Sequence, residues 1–191
     1  MKKEKEYTYK NRDGSYIKVN ENGVIIDAKG INSLVWRTIL EDIDKKVIGM
    51  TVWDLYELFK KREAFSSTHR NFETVVKYHE GLLEARDGKL SSKDKTYKKK
   101  NNTNNDFCIK VSEDGIITYA EGLNYLGWQT ISENYDALMI GKNVTELYAY
   151  LKKCDEVLKR THSYGFKNIV SYYDGIREGK RLNKGLVRGN K

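Results

Sequence analysis

The sequence predicts an α+β protein built from two tandem repeats, each an antiparallel sheet with helices inserted between two hairpins. Three observations predict this fold: an internal duplication, a strand–turn–strand pattern in each copy, and an amphipathic helical pattern in each copy. Shifting the sequence by 92 positions aligns residues 17–61 with 109–153 without a gap, and 22 of these 45 positions are identical. A period this long indicates a duplicated domain, because solenoids repeat every 20–50 residues or so.

Each copy begins with a pattern typical of a hairpin. The runs "SYIKV" at 15–19 and "FCIKV" at 107–111 are short and rich in strand-forming residues. The turns "NENG" and "SEDG" then lead into "VIIDA" and "IITYA". Strand-forming runs separated by Asn, Asp and Gly favour a hairpin.

The second part of each copy is predicted to contain a helix and then a second hairpin. The segments "VWDLYELFKKREAF" at 52–65 and "VTELYAYLKKCDEVL" at 144–158 place apolar residues at i, i+3, i+4 and i+7, which indicates an amphipathic helix. After a connector, "FETVVKY" at 72–78 and "FKNIVSYY" at 166–173 have strand composition. The following "HEG" and "YDG" are interpreted as turns, and "TYKKK" and "GLVRG" are the candidates for a closing strand.

These patterns divide the chain into five parts. They are a basic N-terminal tail or first strand at 1–14, repeat 1 at 15–86, a basic linker at 87–106, repeat 2 at 107–178, and a basic C-terminal tail at 179–191. The linker is polar and lacks hydrophobic periodicity, so we expect it to be solvated.

The net charge of +8 belongs to the two tails and the linker, which together hold sixteen Lys and Arg and only six acids. The two repeats are nearly neutral. Basic tails bind phosphate backbones without reading base sequence. The candidate nucleic-acid-binding residues are Lys98, Lys99, Lys100, Lys180, Arg181, Lys184 and Arg188. The chain has no proline, and the composition also fits an AT-rich genome, which enriches lysine without any functional demand.

Several classes of protein are excluded on composition. No apolar run reaches the roughly 18 residues of a transmembrane helix, and the N-terminus lacks a signal-peptide pattern, so a cytoplasmic location without membrane contact is expected. Only two cysteines are present, too few for the usual zinc or iron–sulfur sites. We find no catalytic signature and expect no enzyme activity, no catalytic residue and no metal site. A cofactor is not identified.

The hairpin, the "LGW" step and "IGKNVTEL" together resemble the N-terminal half of a PAS domain. The residues that carry the resemblance are Gly115, Ile117, Gly127, Ile140, Gly141, Lys142 and Leu147, matched in the first copy by Gly23, Ile25, Ile48, Gly49 and Leu55. The resemblance covers 15–86 and 107–178. The sequence departs from the family at the Asn that often follows the second strand, which is Lys29 in one copy and Glu121 in the other.

The resemblance implies a sheet and helices that cradle a small ligand or dock a partner. The candidate pocket residues are Asn32, Trp36, Tyr56, Asn124, Trp128 and Tyr148, which occupy equivalent positions in the two copies. Tryptophan combines a large apolar surface with one hydrogen-bond donor, yet both tryptophans also suit core positions. Both asparagines also suit helix caps. The cysteine segment of flavin photosensors is absent.

The resulting hypothesis is a non-enzymatic regulatory or sensor protein that binds a small molecule or a protein partner through duplicated PAS-like modules. The alternative is a nucleic-acid-associated protein, for example of a phage or mobile element, that binds phosphates through its tails and linker. Either a monomer with pseudo-twofold repeats or a homodimer fits the duplication.

Overall fold

In the computed structural model of the chain, the described residues are 4–10, 14–30, 45, 47–61, 66–99, 107–123, 135–159 and 163–188. They include two three-stranded antiparallel sheets and five helices. The α+β class predicted from the sequence is therefore confirmed.

The first sheet contains β1 Glu6–Lys10, β2 Tyr16–Asn20 and β3 Ile25–Lys29, hydrogen-bonded in that order. The predicted hairpin is formed by β2 and β3. Ile17 and Val19 of β2 are buried and alternate with half-buried neighbours, as expected for a strand with one face on the core.

The second sheet contains β4 Lys95–Lys99, β5 Phe107–Val111 and β6 Ile117–Glu121, again hydrogen-bonded in that order. The predicted hairpin of this copy is formed by β5 and β6. The first strand of each sheet lies outside the predicted repeats: β1 comes from the segment 1–14, which was predicted as a tail or first strand, and β4 comes from the predicted linker. Within the predicted linker, β4 pairs along its whole length with β5. The candidate closing strand "TYKKK" at 96–100 is thus a strand through Lys99, and it belongs to the second sheet.

The predicted amphipathic helices are present as α1 Val52–Lys61 and α4 Val144–Leu158, and a short helix α3 Tyr135–Met139 precedes α4. Asn143 caps α4: its side chain accepts a hydrogen bond from the amide of Thr145, and Glu146 accepts one from the amide of Asn143. Thr51 and Asp54 exchange the equivalent hydrogen bonds at α1. Such caps satisfy amides that the first helical turn leaves unpaired.

The predicted second hairpin is wrong. Residues 72–78 lie in α2 Ser66–Arg86, and residues 166–173 lie in α5 Tyr164–Arg188. From residue 72 onward, the buried positions of α2 are Val75, Val76, His79, Gly81, Leu82 and Ala85, which follow the helical period rather than strand alternation. In α2 and α5 the Val- and Tyr-rich composition is overridden by this packing. Helix α5 also continues through 179–188, so the predicted C-terminal tail is helical there, including "GLVR".

Each sheet packs on helices of its own half. One core contains Ile17, Val19, Ile25, Val47, Val52, Leu55, Phe59, Val75 and Val76, from the first sheet, α1, α2 and the segment before α1. The other combines the second sheet with α4 and α5 and also takes Ala85 from α2. The C-terminal end of α2 therefore contributes to the core of the second half.

Helices α2 and α5 approach each other so closely that their backbones touch. A Cβ atom built on Gly81 would lie 2.1 Å from the carbonyl oxygen of Tyr172, and one built on Gly175 would lie 1.9 Å from that of Tyr78. Gly81 and Gly175 are 94 positions apart, as are Tyr78 and Tyr172, so each half makes the same contact on the other. Only glycine permits this approach. The "HEG" and "YDG" glycines are thus helix-contact residues, not turn residues.

The contact continues along the two helices. A Cβ atom on Gly179 would lie 2.3 Å from the carbonyl oxygen of Leu82. Because Gly175 faces Tyr78 and Gly179 faces Leu82, the two helices run in the same direction. Parallel contact of this kind between equivalent residues is what a twofold relation between two like halves produces.

Candidate functional site

Of the six predicted pocket residues, two lie among the described residues. Tyr56 of α1 and Tyr148 of α4 are half-buried at equivalent positions and pack against the core of their own half. Burial raises the pKa of Tyr56 above its usual value. Asn32, Trp36, Asn124 and Trp128 lie outside the described residues, and their role as pocket walls stays a prediction.

A cleft lies in the second half, between the start of the second sheet, the β5–β6 turn and α5. Its walls include Leu90, Lys95, Tyr172 and Tyr173, and its empty volume, open mouth included, is about 230 Å³. Small-molecule sites usually measure roughly 300–1,000 Å³. This cleft is therefore too small to hold a typical cofactor.

Among the described residues, His79 of α2 is a polar side chain buried in an aromatic environment. It is fully buried, and its Nε2 atom lies 3.1 Å from the hydroxyl of Tyr9 on β1. The rings of Tyr7, Tyr9 and Tyr78 surround it at centroid distances of 5.4, 5.9 and 5.6 Å, all edge-on. Burial lowers the pKa of His79 from its ordinary 6.5 to about 4, so the imidazole is neutral at pH 7.

The equivalent position in the second half is Tyr173, which is also buried. Its hydroxyl donates to the carbonyl oxygen of Val111, 3.2 Å away. Burial raises the pKa of Tyr173 to about 12. Both residues therefore fix their long helix to the sheet of their own half with a neutral polar group, and neither geometry supplies a pair of groups for acid–base chemistry.

Charged contacts tie each half to the helix of the other. Glu84 on α2 accepts a hydrogen bond from the hydroxyl of Tyr172 on α5, and the ammonium group of Lys95 on β4 lies 3.4 Å from the Glu84 carboxylate. The same ammonium group lies 3.7 Å from the centroid of the Tyr172 ring, which is a close cation–π contact.

The mirror contact involves Glu178 on α5, which is 94 positions after Glu84. Its carboxylate pairs with Lys5, next to β1, and with Arg181 at 3.0 Å. Burial opposes ionisation of Glu178, yet the hydrogen bonds from Arg181 and Lys5 hold its pKa below the usual range. The contacts at Glu84 and Glu178 thus join the two halves from both sides.

Among the predicted nucleic-acid-binding residues whose side chains the structure describes, Lys180 and Arg181 are engaged in ion pairs. Lys180 pairs with Asp114 in the β5–β6 turn at 2.7 Å, and Arg181 is engaged by Glu178. Lys98 and Lys184 are exposed. Lys99 ends β4 and Arg188 ends α5, whereas Lys100 lies outside the described residues. Two of the seven predicted cations therefore stabilise the fold through ion pairs.

The outer face of the first sheet carries a row of residues that the sequence analysis did not single out as a site. In the strand register, Lys10 of β1 lies opposite Tyr16 of β2, which lies opposite Lys29 of β3. Lys10 and Lys29 are exposed, and neither makes an ion pair with another described residue. The Tyr16 hydroxyl donates a hydrogen bond to the Asp27 carboxylate at 3.1 Å. This hydrogen bond holds the ring between the two lysines.

The same positions of the second sheet carry different chemistry. Lys98 of β4 lies opposite Cys108 of β5, which lies opposite Glu121 of β6. Glu121 accepts a hydrogen bond from the hydroxyl of Tyr119, 2.7 Å away. This face is therefore near neutral across its row, whereas the first sheet presents two lysines beside an aromatic ring.

The alternation of β2 alone predicts one member of this row. In "YIKVN" at 16–20 the buried residues are Ile17 and Val19, so Tyr16 and Lys18 must lie on the outer face. Placing Lys10 and Lys29 beside Tyr16 needs the register of three strands, which the sequence pattern leaves open.

Within the described ranges, no group of three His, Cys, Asp or Glu residues is placed to hold a metal ion. Both cysteines are free: Cys108 is half-buried and Cys154 is buried. A separate search of the described helices finds none that is long and apolar enough to cross a membrane.

Comparison of the chain with models of known protein families, with curated proteins and with solved structures finds no match.

Proposed function

We propose that this chain is a non-enzymatic regulatory protein that binds a macromolecular partner on the outer surface of one rigid two-part body. The observation that carries the proposal is the backbone contact of Gly81 and Gly175 with the helix of the other half. Contacts this close leave no freedom for one half to slide on the other, because interiors at this density are not compressible. The two sheets are therefore held at a fixed spacing.

The packing of the described residues favours recognition on the surface. Fully buried side chains, such as Leu55 in one half and Leu147 in the other, lie between each sheet and its helices in the part of the chain that the structure describes. The cleft beside Tyr172 is small. A small-molecule sensor would need space that residues 31–44 or 124–134 would have to line, and those residues lie outside the described ranges.

The PAS-like identity of each module stays a prediction. The first hairpin and the glycine turns at Gly49 and Gly141 just before α1 and α4 agree with that family's order of elements. The helical conformation of 72–78 and 166–173 differs from the strands that their composition predicted. The cytoplasmic location also stays a prediction.

Native mass spectrometry and light scattering test the surface-binding proposal. We expect a monomer of 22.2 kDa, because the twofold-like contact is satisfied within the chain. We expect no small molecule retained at one or two per chain. A stoichiometric ligand would contradict the proposal and favour a sensor with an internal pocket.

Partner capture from an extract of the source cells tests the need for a rigid body. We expect the wild-type protein to retain a macromolecular partner and Gly175→Ala to lose at least about nine-tenths of it, because the added methyl group separates the helices. The matched control is Gly165→Ala on the same helix, where an added Cβ meets nothing within 4 Å. Equal capture by all three proteins, or capture by none, would contradict the proposal.

A further inference from the structure

We infer that the outer face of the first sheet is a binding site for single-stranded nucleic acid, centred on the row Lys10–Tyr16–Lys29. This inference rests on the proposal that the chain binds a macromolecule on its surface, and it names the partner. The site lies outside the C-terminal tail and the linker, to which the sequence analysis assigned nucleic-acid binding. In the C-terminal tail, Lys180 and Arg181 are already engaged in ion pairs.

The first argument is the charge of this face. Lys10 and Lys29 lie on the two outer strands, two strand spacings or about 10 Å apart, and both are exposed without an ion-pair partner among the described residues. Lys18 adds a third ammonium group but is paired with Asp27 at 3.2 Å, and Glu6 lies on the same face at the far end of β1. The cationic part of the face is therefore the end that holds Lys10 and Lys29. Phosphates release counterions when they meet such free lysines, which favours binding.

The second argument is the aromatic ring between the lysines. Tyr16 is half-buried, its hydroxyl is held by Asp27, and the Lys18 ammonium group lies 6.0 Å from the centroid of its ring. These contacts orient the ring before any ligand binds. Proteins that bind single strands combine cationic side chains that contact phosphates with aromatic rings on which bases stack. A duplex hides its bases inside the stack and gains less from such a ring.

The third argument is the contrast with the second sheet, which supplies an internal control. The residues that match Lys10, Tyr16 and Lys29 are Lys98, Cys108 and Glu121. In this row the second sheet therefore keeps one lysine and lacks both the aromatic ring at the centre and the second lysine. Its other outer-face lysine, Lys110, lies opposite Tyr119 on the edge strand β6, outside this row. Binding that depended only on the chain's net charge of +8 would not distinguish the two faces.

The test is fluorescence anisotropy of the full-length protein with labelled single-stranded DNA and RNA of about 20 nucleotides, and with the matching duplex. We expect Lys10→Gln with Lys29→Gln to weaken single-strand binding about tenfold or more. The slope of log affinity against log salt should fall by about 1.4, because each phosphate contact to a single strand contributes about 0.7. We expect Tyr16→Phe to bind nearly as the wild type and Tyr16→Ser to bind about tenfold more weakly.

The matched control is Lys98→Gln with Lys110→Gln, which removes the same charge from the outer face of the second sheet. We expect it to change affinity less than about twofold. Equal losses in the two double variants, preference for the duplex, an unchanged affinity of Tyr16→Ser, or binding of anionic vesicles instead of nucleic acid would each overturn the inference. If no nucleic acid binds but a protein partner is captured, this inference fails while the proposed function stands.

Discussion

The two halves of this chain agree in their interiors and differ on their outer faces. At the helix contact, Gly81 and Gly175 make the same backbone approach, and Glu84 and Glu178 each receive charged or polar groups from the other half. On the sheets, corresponding rows read Lys10–Tyr16–Lys29 and Lys98–Cys108–Glu121.

This difference shows which positions of each half are constrained by packing. Interior positions at the contact between halves must fit one another, since any added atom there meets backbone. Outer positions meet only solvent or a partner, so they are free to differ between the halves. We therefore expect changes at the helix contact to affect both halves together, and changes on the sheet faces to affect one binding surface only.

The largest effect should come from Gly175→Ala. Its Cβ would lie 1.9 Å from the carbonyl oxygen of Tyr78, so the helices must separate, at a cost of about 2–3 kcal/mol or more in the free energy of unfolding. Urea denaturation followed by circular dichroism measures the change.

The control for this prediction is Gly165→Ala, which should leave stability unchanged or raise it by up to about 1 kcal/mol, because alanine favours the helix and the site is open. A loss of the same size in both variants would show that α5 tolerates neither substitution for reasons unrelated to the contact between halves.

The pairing of α2 with α5 could not be predicted from the sequence, whereas the first hairpins and α1 and α4 could. Strand alternation and the helical spacing around Leu55 and Leu147 are local patterns. The valines and tyrosines of 72–78 favoured a strand, and Gly81 resembled a turn residue. That glycine serves a contact with Tyr172, far away in the sequence, and local patterns carry no signal for such a contact.

The candidate site was predicted only in part for the same reason. The sequence identified equivalent tyrosines at 56 and 148, and the structure places both beside the cores. It placed the basic residues in tails and a linker, but β4 and α5 extend into those segments. The Lys10–Tyr16–Lys29 row depends on the pairing of three strands, so its members became neighbours only in the fold.

The next largest effect concerns His79, which the second half replaces with Tyr173. Because the pKa of His79 is lowered to about 4, the unfolded chain binds a proton between pH 6.5 and about 4 that the folded chain does not. The free energy of unfolding should therefore fall as the pH falls through this range, by up to about 1.4 kcal/mol per pH unit, with no contribution above pH 7.

Denaturation curves of wild type and His79→Phe between pH 4 and pH 7.5 check this prediction. The phenylalanine variant should lose this part of the pH dependence while retaining the rest. Parallel pH profiles for the two proteins would contradict the assignment of a neutral, buried imidazole to this half.

The smallest effect should come from the contacts between each long helix and the hairpin turn of its own half. Arg86 donates to the side chain of Asn22 at 2.7 Å, and Lys180 pairs with Asp114 at the same distance. Arg86→Ala and Lys180→Ala should each cost about 1 kcal/mol or less, because exposed polar contacts are weak. Higher salt should reduce the effect of both variants, because Arg86 also pairs with Asp87 at 3.0 Å and Lys180 pairs with Asp114. Thermal denaturation at low and high salt measures both, and a loss that does not change with salt in either variant would contradict the contribution of its ion pair.

The central claim is that the two halves form one body through α2 and α5. Hydrogen–deuterium exchange along a denaturant titration tests it most directly, because exchange reports the free energy of opening of each segment separately. The account predicts one shared opening free energy for the strands β2 and β5, which falls equally in both halves of Gly175→Ala. Separate opening free energies for the two sheets in the wild type, or a loss confined to the second half in the variant, would contradict it.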